Sequence, residues 1–219
     1  MARLESEINR SKVSQERAIK QQEINYRLYL ANKRLIDIVG SIFGLILTLP
    51  IMLITAIVIK LESPGPIIFK QNRMGLNGKG FTIYKFRSMM KNAEKETGPI
   101  WARQNDSRIT KVGKFIRKTR IDELPQFVNI LRGEMSLVGP RPERPVFIKE
   151  FTKEYPHFED RLLVKPGVTG LAQVTGGYNL SPHQKARLDL LYIEKQNLLL
   201  DIKVLVKTVL VVIFGDGAR

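Results

Sequence analysis

The sequence has no cysteine, two histidines and one tryptophan in 219 residues. Without cysteine, the chain forms no disulfide and offers no thiolate to a metal or a substrate. The two histidines, His157 and His183, are far apart in the sequence, so we do not expect a zinc site. A hard cation such as Mg²⁺, which prefers carboxylate and phosphate oxygens, remains compatible with this composition.

The N-terminal stretch 1–33 lacks glycine and proline and carries charges of both signs. Its apolar residues are too sparse for a core-facing stripe, so we predict a polar helix that is solvated or lies on a membrane surface and is partly disordered. A secretory signal is not expected, because the apolar run of the chain starts too late and no small-residue cleavage site follows it.

Acidic residues are scarce: the formal net charge is +15 and the pI is about 10.1. Such an excess of Lys and Arg indicates an anionic partner, which could be nucleic acid, an acidic lipid surface or a phosphorylated substrate. The chain has neither an aromatic-rich stacking segment nor a recognition-helix pattern, so nucleic acid is not the expected partner.

Residues 38–59 form a run of 22 residues without a charge, which is long enough to cross a bilayer. Hydropathy alone favours a plain transmembrane helix. Two features favour a re-entrant helix instead: Pro50 should bend or break the helix near its middle, and basic residues stand on both flanks, whereas a single span keeps them on the cytoplasmic side. We therefore predict a re-entrant membrane helix over 34–62 and one further domain over 63–219.

Two short segments, 67–71 and 81–86, are predicted to be strands of a hairpin with Asn77-Gly78 in its turn. Lys85 and Arg87 make the hairpin basic, so its face is either solvated or in contact with phosphate or lipid headgroups.

The rest of the domain offers fewer signals. Trp101 is either an interfacial anchor or packed beneath a loop. Residues 183–196 are predicted to form a charged helix. Charges interrupt the apolar run 198–214, which we interpret as an interfacial helix or a core helix.

Asp122 and Glu123 are adjacent carboxylates between a basic cluster and a Gly-Pro-Arg-Pro segment. Apolar residues at helical spacing predict a helix of about ten residues after them, with Pro125 in its first turn and Asp122 near its N-cap. The helix dipole would then favour an ionised Asp122 and a bound phosphate. The pair is either an ordinary helix start or a divided catalytic pair, with one acid as nucleophile and the other as metal ligand or proton carrier.

Two stiff turns follow the acids in the sequence. Arg141, between Pro140 and Pro142, is either an exposed turn residue or a rigidly held guanidinium suited to phosphate. Residues 164–170 form a second Pro/Gly turn, whose N–H groups could line an anion site.

Taken together, these motifs resemble the bacterial sugar transferase family, the monotopic, polyprenyl-phosphate-dependent phosphoglycosyl transferases that begin the assembly of surface glycans. The resemblance covers roughly residues 33–219 in the family's order. It is carried by KRLID (33–37), QNRMG (71–75), YKFRSM (84–89), IDELPQ (121–126), MSLVGPRP (135–142), PGVTG (166–170) and QV (173–174).

The resemblance implies a membrane-associated α/β fold that is mostly helical with a small β-hairpin. Such a chain is monotopic: it has a re-entrant membrane helix broken at Pro50, interfacial helices including one at the C-terminus, and one cytoplasmic catalytic domain. The expected location is the bacterial cytoplasmic (inner) membrane, with the catalytic domain facing the cytoplasm. The chain departs from many relatives at Leu49, where they have Ser, and at Gly177, where they have Arg.

The resemblance also implies an enzyme that transfers sugar-1-phosphate from a UDP-sugar to polyprenyl (undecaprenyl) phosphate, releases UMP and uses Mg²⁺. Asp122 matches the family's nucleophile, which forms a covalent phosphosugar intermediate, Glu123 matches the acid that helps to hold the metal, and Arg117 is a third catalytic residue. The expected substrate-binding residues are Arg141, Lys85, Arg87, Thr169 and Gln173. The expected partners are the two substrates and membrane lipids, with a homo-oligomer and downstream glycosyltransferases as further candidates.

The alternative hypothesis is a membrane-tethered basic binding or regulatory protein without catalysis. It explains the positive charge and the apolar run. It does not explain paired acids embedded among arginines, or the two glycine turns that proline makes rigid.

Overall fold

The computed structural model describes residues 2–91, 93, 98, 106–177 and 180–214, with side chains from residue 19 onward except that of residue 213. Trp101 lies outside the described residues. The chain divides into two compact units, 1–36 and 37–219. In the first unit the described residues are helical, and most of the side chains described there are exposed.

The first helix is α1 (Ala2–Glu62). From residue 37 onward, its polar and apolar faces are the reverse of those of a helix in a water-soluble protein. Its polar and small residues face the protein: Asp37 is 3% exposed and Ser41 is 0% exposed, and a Cβ atom on Gly44 would lie 2.8 Å from the Phe127 ring. Its outward face is apolar and includes Val39, Ile42, Phe43, Ile46, Leu47, Leu53, Ile54, Ile57 and Leu61.

This reversed pattern indicates membrane association, because a helix in water buries its apolar stripe. The most apolar 18-residue window of α1 has a mean hydropathy of 2.8 and is only 11% buried. By length and composition the helix could cross a membrane.

Pro50 lies inside α1 and does not end it, since the helix is continuous from Ala2 to Glu62. Proline removes one N–H from the helix. Two residues earlier, the Thr48 hydroxyl donates to the Gly44 carbonyl at 2.7 Å, a type of bond that often bends helices. The expected break at Pro50 is therefore absent at the level of secondary structure, and the re-entrant path stays a prediction.

The predicted hairpin is confirmed. Strands β1 (Ile68–Met74) and β2 (Gly80–Phe86) pair antiparallel. Asn77 and Gly78 turn the chain with φ angles of 54° and 72°, a left-handed conformation that Asn and Gly tolerate best. The inner face of β2 joins a core cluster made of Phe81, Ile83, Ile130 and Met135.

The two acids lie in a one-turn 3₁₀ helix (Ile121–Glu123). The α-helix that follows, α3 (Gln126–Leu131), has six residues and takes Pro125 as its N-cap. The prediction of a ten-residue helix with Asp122 at its N-cap is therefore wrong. Pro125 has no N–H with which to continue an α-helical pattern, so the residues before it form the tighter turn.

A helix that the sequence did not suggest, α2 (Lys111–Lys118), leads into this turn. Its first N–H groups are capped from two sides. The Thr110 hydroxyl accepts from Gly113 at 2.9 Å, and the Glu62 carboxylate, at the end of α1, accepts from Val112 at 3.0 Å. The membrane-associated helix thus helps to fix the helix that precedes the acids.

The two Pro/Gly turns meet in a second sheet, where β3 (Ser136–Val138) and β4 (Gly167–Thr169) pair in parallel. The approach is so close that a Cβ atom on Gly139 would lie 2.4 Å from the Lys165 carbonyl oxygen. The N–H of Gly167 donates to the Pro140 carbonyl. This N–H is therefore used within the protein, and the expectation that the turn's N–H groups would line an anion site is wrong at Gly167.

The C-terminal half adds α4 (Pro145–Glu154), a 3₁₀ helix (Pro156–Leu163), α5 (Leu171–Thr175), α6 (Pro182–Lys195) and α7 (Leu198–Phe214). The last two confirm the helices predicted over 183–196 and 198–214. In α7, Asp201 and Val204 are buried, whereas Leu199 and Val206 are among the exposed apolar residues. An interfacial helix would turn such a face to lipid, and this placement stays a prediction.

Asp37 joins α1 to β3, because its Oδ1 accepts from the Ser136 hydroxyl at 2.9 Å and from the Leu137 N–H at 2.8 Å. We expect Asp37→Ala to lower the free energy of unfolding by about 2–3 kcal/mol, since a buried hydroxyl and the N–H of a half-buried residue lose a charged acceptor. Asp37→Asn, which keeps an acceptor oxygen, should lose less. Denaturant titration in detergent micelles measures both, and equal stability of Asp37→Ala and the unmodified chain would contradict the assignment.

Candidate active site

A single cavity of about 620 Å³ contains both acids. Its walls come from the hairpin, the end of α2, the 3₁₀ turn, the Gly-Pro-Arg-Pro segment, α5 and α6. The charged residues in the lining are Arg73, Lys85, Arg87, Lys91, Arg108, Arg117, Arg120, Asp122, Glu123, Arg141, Glu143, Arg144, Arg161, Lys185 and Asp189. A cavity with so many cations suits an anionic ligand, and its volume is that of a small-molecule site.

Glu123 is the acid that the protein neutralises. Its Oε1 accepts from Lys85 Nζ at 2.9 Å and from Arg141 Nη2 at 2.6 Å, and its Oε2 accepts from Arg141 Nη1 at 3.3 Å. Burial would raise the pKa of Glu123, but the charges of Arg141 and Lys85 outweigh it and hold the pKa well below its usual range. Glu123 is therefore a fixed negative charge.

Asp122 is the acid that the protein leaves poorly compensated. Its side chain is buried, and Oδ1 has no hydrogen-bond partner among the described residues. Burial, together with the negative charge of Glu123, raises the pKa of Asp122 to about 6, against the opposing effects of Lys85, Arg117 and Arg141. The helix dipole that was expected to keep Asp122 ionised is absent here, because Asp122 does not start an α-helix.

The backbone beside the acids is strained. Arg120 is one of two non-glycine residues with positive φ in the described chain, at φ 61° and ψ 12°. This conformation is uncommon for a residue with a long side chain, and such strain concentrates at functional sites. It allows the chain to turn sharply between α2 and the acids.

Seven of the eight predicted catalytic and substrate-binding residues line the cavity, and five of them interact with one another: Asp122, Glu123, Arg117, Lys85 and Arg141. Lys85 and Arg141 bond directly to Glu123. Arg117, in the last turn of α2, lowers the pKa of Asp122 through its charge.

The other three predicted substrate-binding residues have structural partners. Arg87 lines the cavity but donates to the carbonyls of Ile59, Ser63 and Pro64 at the end of α1, at 3.2, 2.7 and 2.9 Å. These bonds cap the helix and fasten it to β2. Whether Arg87 also contacts substrate stays a prediction.

Gln173 lines the cavity, donates to the Val168 carbonyl at 3.1 Å and leaves its side-chain oxygen buried without a partner among the described residues. Thr169 is not part of the described lining. Its hydroxyl lies 2.7 Å from that of Thr208, between β4 and α7. A substrate contact for Gln173 fits the geometry better than one for Thr169.

The sequence analysis gave Arg73 only as part of the QNRMG motif and did not single out Glu143, Arg161 or Asp189; all four are charged residues of the cavity wall. They form two ion pairs, Arg73 with Glu143 at 3.4 Å and Arg161 with Asp189 at 2.6 Å. Asp189 could have been found, because it shares the buried face of α6 with Ala186 and Tyr192. An acid on an apolar helix face requires a partner.

The adjacent carboxylates of Asp122 and Glu123 are suited to bind Mg²⁺. Among the described residues no group of three His, Asp or Glu side chains forms a metal cage. Mg²⁺ needs only one or two carboxylates where substrate phosphates complete its shell. Asp122, through its unpartnered Oδ1, and the adjacent Glu123 supply two carboxylates. To bind the metal, Glu123 would give up one of its ion pairs.

The pKa of Asp122 gives a pH prediction for stability. Because the folded-state pKa is raised from 3.8 to about 6, folding favours the protonated acid, so its stabilising effect is complete below pH 4 and lost as pH rises through 6. As pH rises from 4 to 7, we expect the stability of Asp122→Asn relative to the unmodified chain to increase by about 2–3 kcal/mol. Denaturant titration across this range measures the difference.

Asp106→Asn is the matched control, because hydrogen bonds from Arg108 lower the pKa of Asp106 to about 2. Folding favours its ionised form, so the control variant should lose stability relative to the unmodified chain as pH rises from about 2 to 4, and the difference should stay constant between pH 4 and 7. The same trend in both variants would contradict the raised pKa of Asp122.

Comparison with known proteins places this site in a family. The sequence profile described as bacterial sugar transferase matches residues 28–215. The UDP-N-acetylgalactosamine-undecaprenyl-phosphate N-acetylgalactosaminephosphotransferase of Aeromonas hydrophila is 47% identical over 195 residues, which are 88% of this chain and 46% of that protein.

Two UDP-glucose:undecaprenyl-phosphate glucose-1-phosphate transferases are also similar. The Klebsiella pneumoniae protein is 45% identical over 81% of this chain and 39% of its own length. The Caulobacter vibrioides protein is 40% identical over 85% of this chain and 71% of its own length. The chain thus spans less than half of the first two relatives. A profile match over most of the chain, together with relatives at least 40% identical across more than four-fifths of it, shows that the chain belongs to the bacterial sugar transferase family.

Proposed function

We propose that this protein transfers sugar-1-phosphate from a UDP-sugar to a polyprenyl phosphate such as undecaprenyl phosphate, and releases UMP. The observation that carries the proposal is Asp122: a buried carboxylate with an unpartnered oxygen, in a cavity lined by cations. The names of the relatives, which act on undecaprenyl phosphate, supply the substrate class.

Asp122 is the proposed nucleophile. Its ionised carboxylate attacks the phosphorus that is bonded to the sugar, and the bond from this phosphorus to the UMP oxygen breaks, so UMP leaves with the bonding electrons. The product is an acyl phosphate between Asp122 and the sugar phosphate. An oxygen of the polyprenyl phosphate then attacks the same phosphorus and displaces the carboxylate, which regenerates Asp122 and yields polyprenyl-diphosphate-sugar.

The cations of the cavity have a proposed role in both steps. Arg141 and Arg117 are placed to neutralise charge on the phosphoryl group and on the departing nucleotide. Lys85 and Arg141 keep Glu123 ionised and in place. Because Asp122 must lose its proton to act, cations that lower its pKa also favour the first step.

Glu123, with Asp122 and the diphosphate of the donor, would hold Mg²⁺. When bound, the ion polarises the phosphoryl oxygens and neutralises charge that develops on the leaving nucleotide. It would also lower the pKa of the adjacent Asp122 by adding positive charge.

The cavity lining also suits a lipid acceptor. Pro66 and Phe69, from the segment directly after α1, stand in the wall with Met89 and Met90, and Phe69 and Met90 are 42% and 57% exposed. Apolar side chains beside the end of a membrane-associated helix give an isoprenoid chain a surface to lie on. The phosphate of such an acceptor would then meet the cations around Asp122.

We further propose that the catalytic domain lies on the cytoplasmic side of the inner membrane, with α1 re-entrant at Pro50. The support is the apolar outward face of α1, the proline within it and basic residues on both of its flanks. The rival hypothesis, a basic membrane-bound protein without catalysis, gives no reason for a buried unpartnered carboxylate, which is costly to fold.

The covalent step is tested by intact-protein mass spectrometry. The chain is mixed with a panel of UDP-sugars and Mg²⁺, without polyprenyl phosphate. We expect one donor to add the mass of one phosphosugar, and Asp122→Asn to add none, because an amide cannot form the acyl phosphate. The donor that reacts also identifies the sugar.

Two controls accompany this experiment. Asp106→Asn removes a carboxylate that lies outside the cavity lining and should keep the adduct. Omission of Mg²⁺ in the presence of EDTA should slow adduct formation strongly. An adduct on Asp122→Asn would refute the assigned nucleophile, and no adduct with any donor would favour a single-step transfer or the non-catalytic hypothesis.

The topology is tested with single cysteines, because the native chain has none. Asn9→Cys marks the N-terminal stretch, and Lys195→Cys marks the exposed end of α6. A re-entrant α1 predicts that a membrane-impermeant maleimide labels both positions from the same side of the membrane. Labelling from opposite sides would show that α1 is an ordinary transmembrane span.

A further inference from the structure

Two arginines hold consecutive carbonyl groups in the loop that carries Arg141. Arg73, on β1, donates from Nη1 to the Pro142 carbonyl at 3.1 Å. Arg161, in the 3₁₀ helix Pro156–Leu163, donates from Nη2 to the Arg141 carbonyl at 3.1 Å. The two donors come from separate elements, so the two peptide units on either side of Pro142 Cα are each held by a different arginine.

Each of these arginines is itself held by a carboxylate. Arg73 pairs with Glu143 at 3.4 Å, and Arg161 pairs with Asp189 at 2.6 Å. Both pairs are largely withdrawn from water, with side-chain exposures of 18% and 9% for the first and 4% and 1% for the second. Charged pairs at such sites are screened little, so their geometry is well defined.

Additional contacts restrict both guanidinium groups. Arg73 Nη2 donates to the Gln71 side chain at 2.6 Å, and the Arg161 guanidinium stands 4.6 Å from the centre of the Phe158 ring. A planar group fixed by a carboxylate, a carbonyl and a neighbouring side chain has little rotational freedom. We call the two arginines with Glu143 and Asp189 the loop clamp.

The loop clamp explains how Arg141 can be aimed. The Gly-Pro-Arg-Pro backbone is already restricted by Pro140 and Pro142, and fixing the two carbonyls removes the remaining rotation of the peptide planes. The Arg141 side chain then leaves the loop in one direction, toward Glu123, which it reaches at 2.6 Å. A cation that is preorganised in this way reorganises little during reaction.

We propose that Arg73 and Arg161 are positioning residues that act on phosphoryl transfer through Arg141. This inference rests on the proposed function, because Arg141 is assigned there to the transferring phosphoryl group. Since both arginines also line the cavity, direct contact with substrate is the competing explanation, and the experiment is designed to separate the two.

The test is a double-mutant cycle on the rate of phosphosugar adduct formation. Arg73→Gln and Arg161→Gln are compared in the native chain and in an Arg141→Lys background. In the native chain we expect each substitution to lower the rate of adduct formation roughly 10- to 100-fold, because a small displacement of a catalytic group lowers the reaction rate by about this factor. In the Arg141→Lys background the same changes should have less than about a twofold effect, since the group on which they act is already lost.

The same double-mutant cycle is measured on the affinity of the chain for UDP. This measurement requires no turnover, so it can still be made if the Arg141→Lys variant forms the adduct too slowly to follow by mass spectrometry. Arg132→Gln is the matched control for loss of a charge: Arg132 is exposed and donates to the Tyr84 hydroxyl at 2.6 Å, outside the cavity lining. It should leave the adduct rate unchanged. If Arg73→Gln or Arg161→Gln does not fold, Arg73→Lys or Arg161→Lys, which keeps the charge, is used in its place.

Effects that multiply in the Arg141→Lys background would overturn the proposal, because the arginines would then act independently of Arg141. Native-like rates in Arg73→Gln and Arg161→Gln would overturn it as well. Failure of the proposed function looks different, since the unmodified chain would then form no adduct with any donor.

Discussion

Two buried carboxylates that are adjacent in the sequence line the cavity of this protein, and only one of them forms ion pairs with its cations. Glu123 is held by Lys85 and Arg141, whereas Asp122 keeps an oxygen without a partner and has a raised pKa. Two adjacent ionised acids that are buried from water repel each other. The basic cavity lining, the strained turn and the fixed loop all serve to maintain this unequal pair.

The membrane-associated helix is connected to that pair through polar contacts. At one end of its inward face, Asp37 binds β3, which leads into the loop of Arg141. At its C-terminal end, Arg87 caps the last carbonyls and Glu62 caps α2. The helix therefore supports both sides of the turn that carries Asp122 and Glu123. Polar residues face the protein and apolar residues face outward because lipid, unlike water, imposes no penalty on exposed hydrocarbon.

Several elements could be predicted from local sequence because local physics decides them. The Asn77-Gly78 turn sets the hairpin, and the last two helices follow from periodicity. The helix after the acids was predicted too long, because Pro125 was expected in its first turn. In the structure Pro125 is the N-cap, and the helix starts after it, at Gln126. The motifs shared with the bacterial sugar transferases gave Asp122, Glu123 and Arg141, since a motif preserves the types and order of residues.

The sequence by itself determined the family, the absence of thiol chemistry, the excess of positive charge and the proposal of Asp122 and Glu123 as the catalytic pair, because these depend on composition and order alone. Tertiary structure decided which acid is neutralised, that Arg87 caps a helix rather than standing open in the cavity, and that Arg73 and Arg161 hold the Arg141 loop. These outcomes depend on contacts between residues that are 18 to 69 positions apart. No local pattern encodes such contacts, since burial and pairing exist only once the chain has packed.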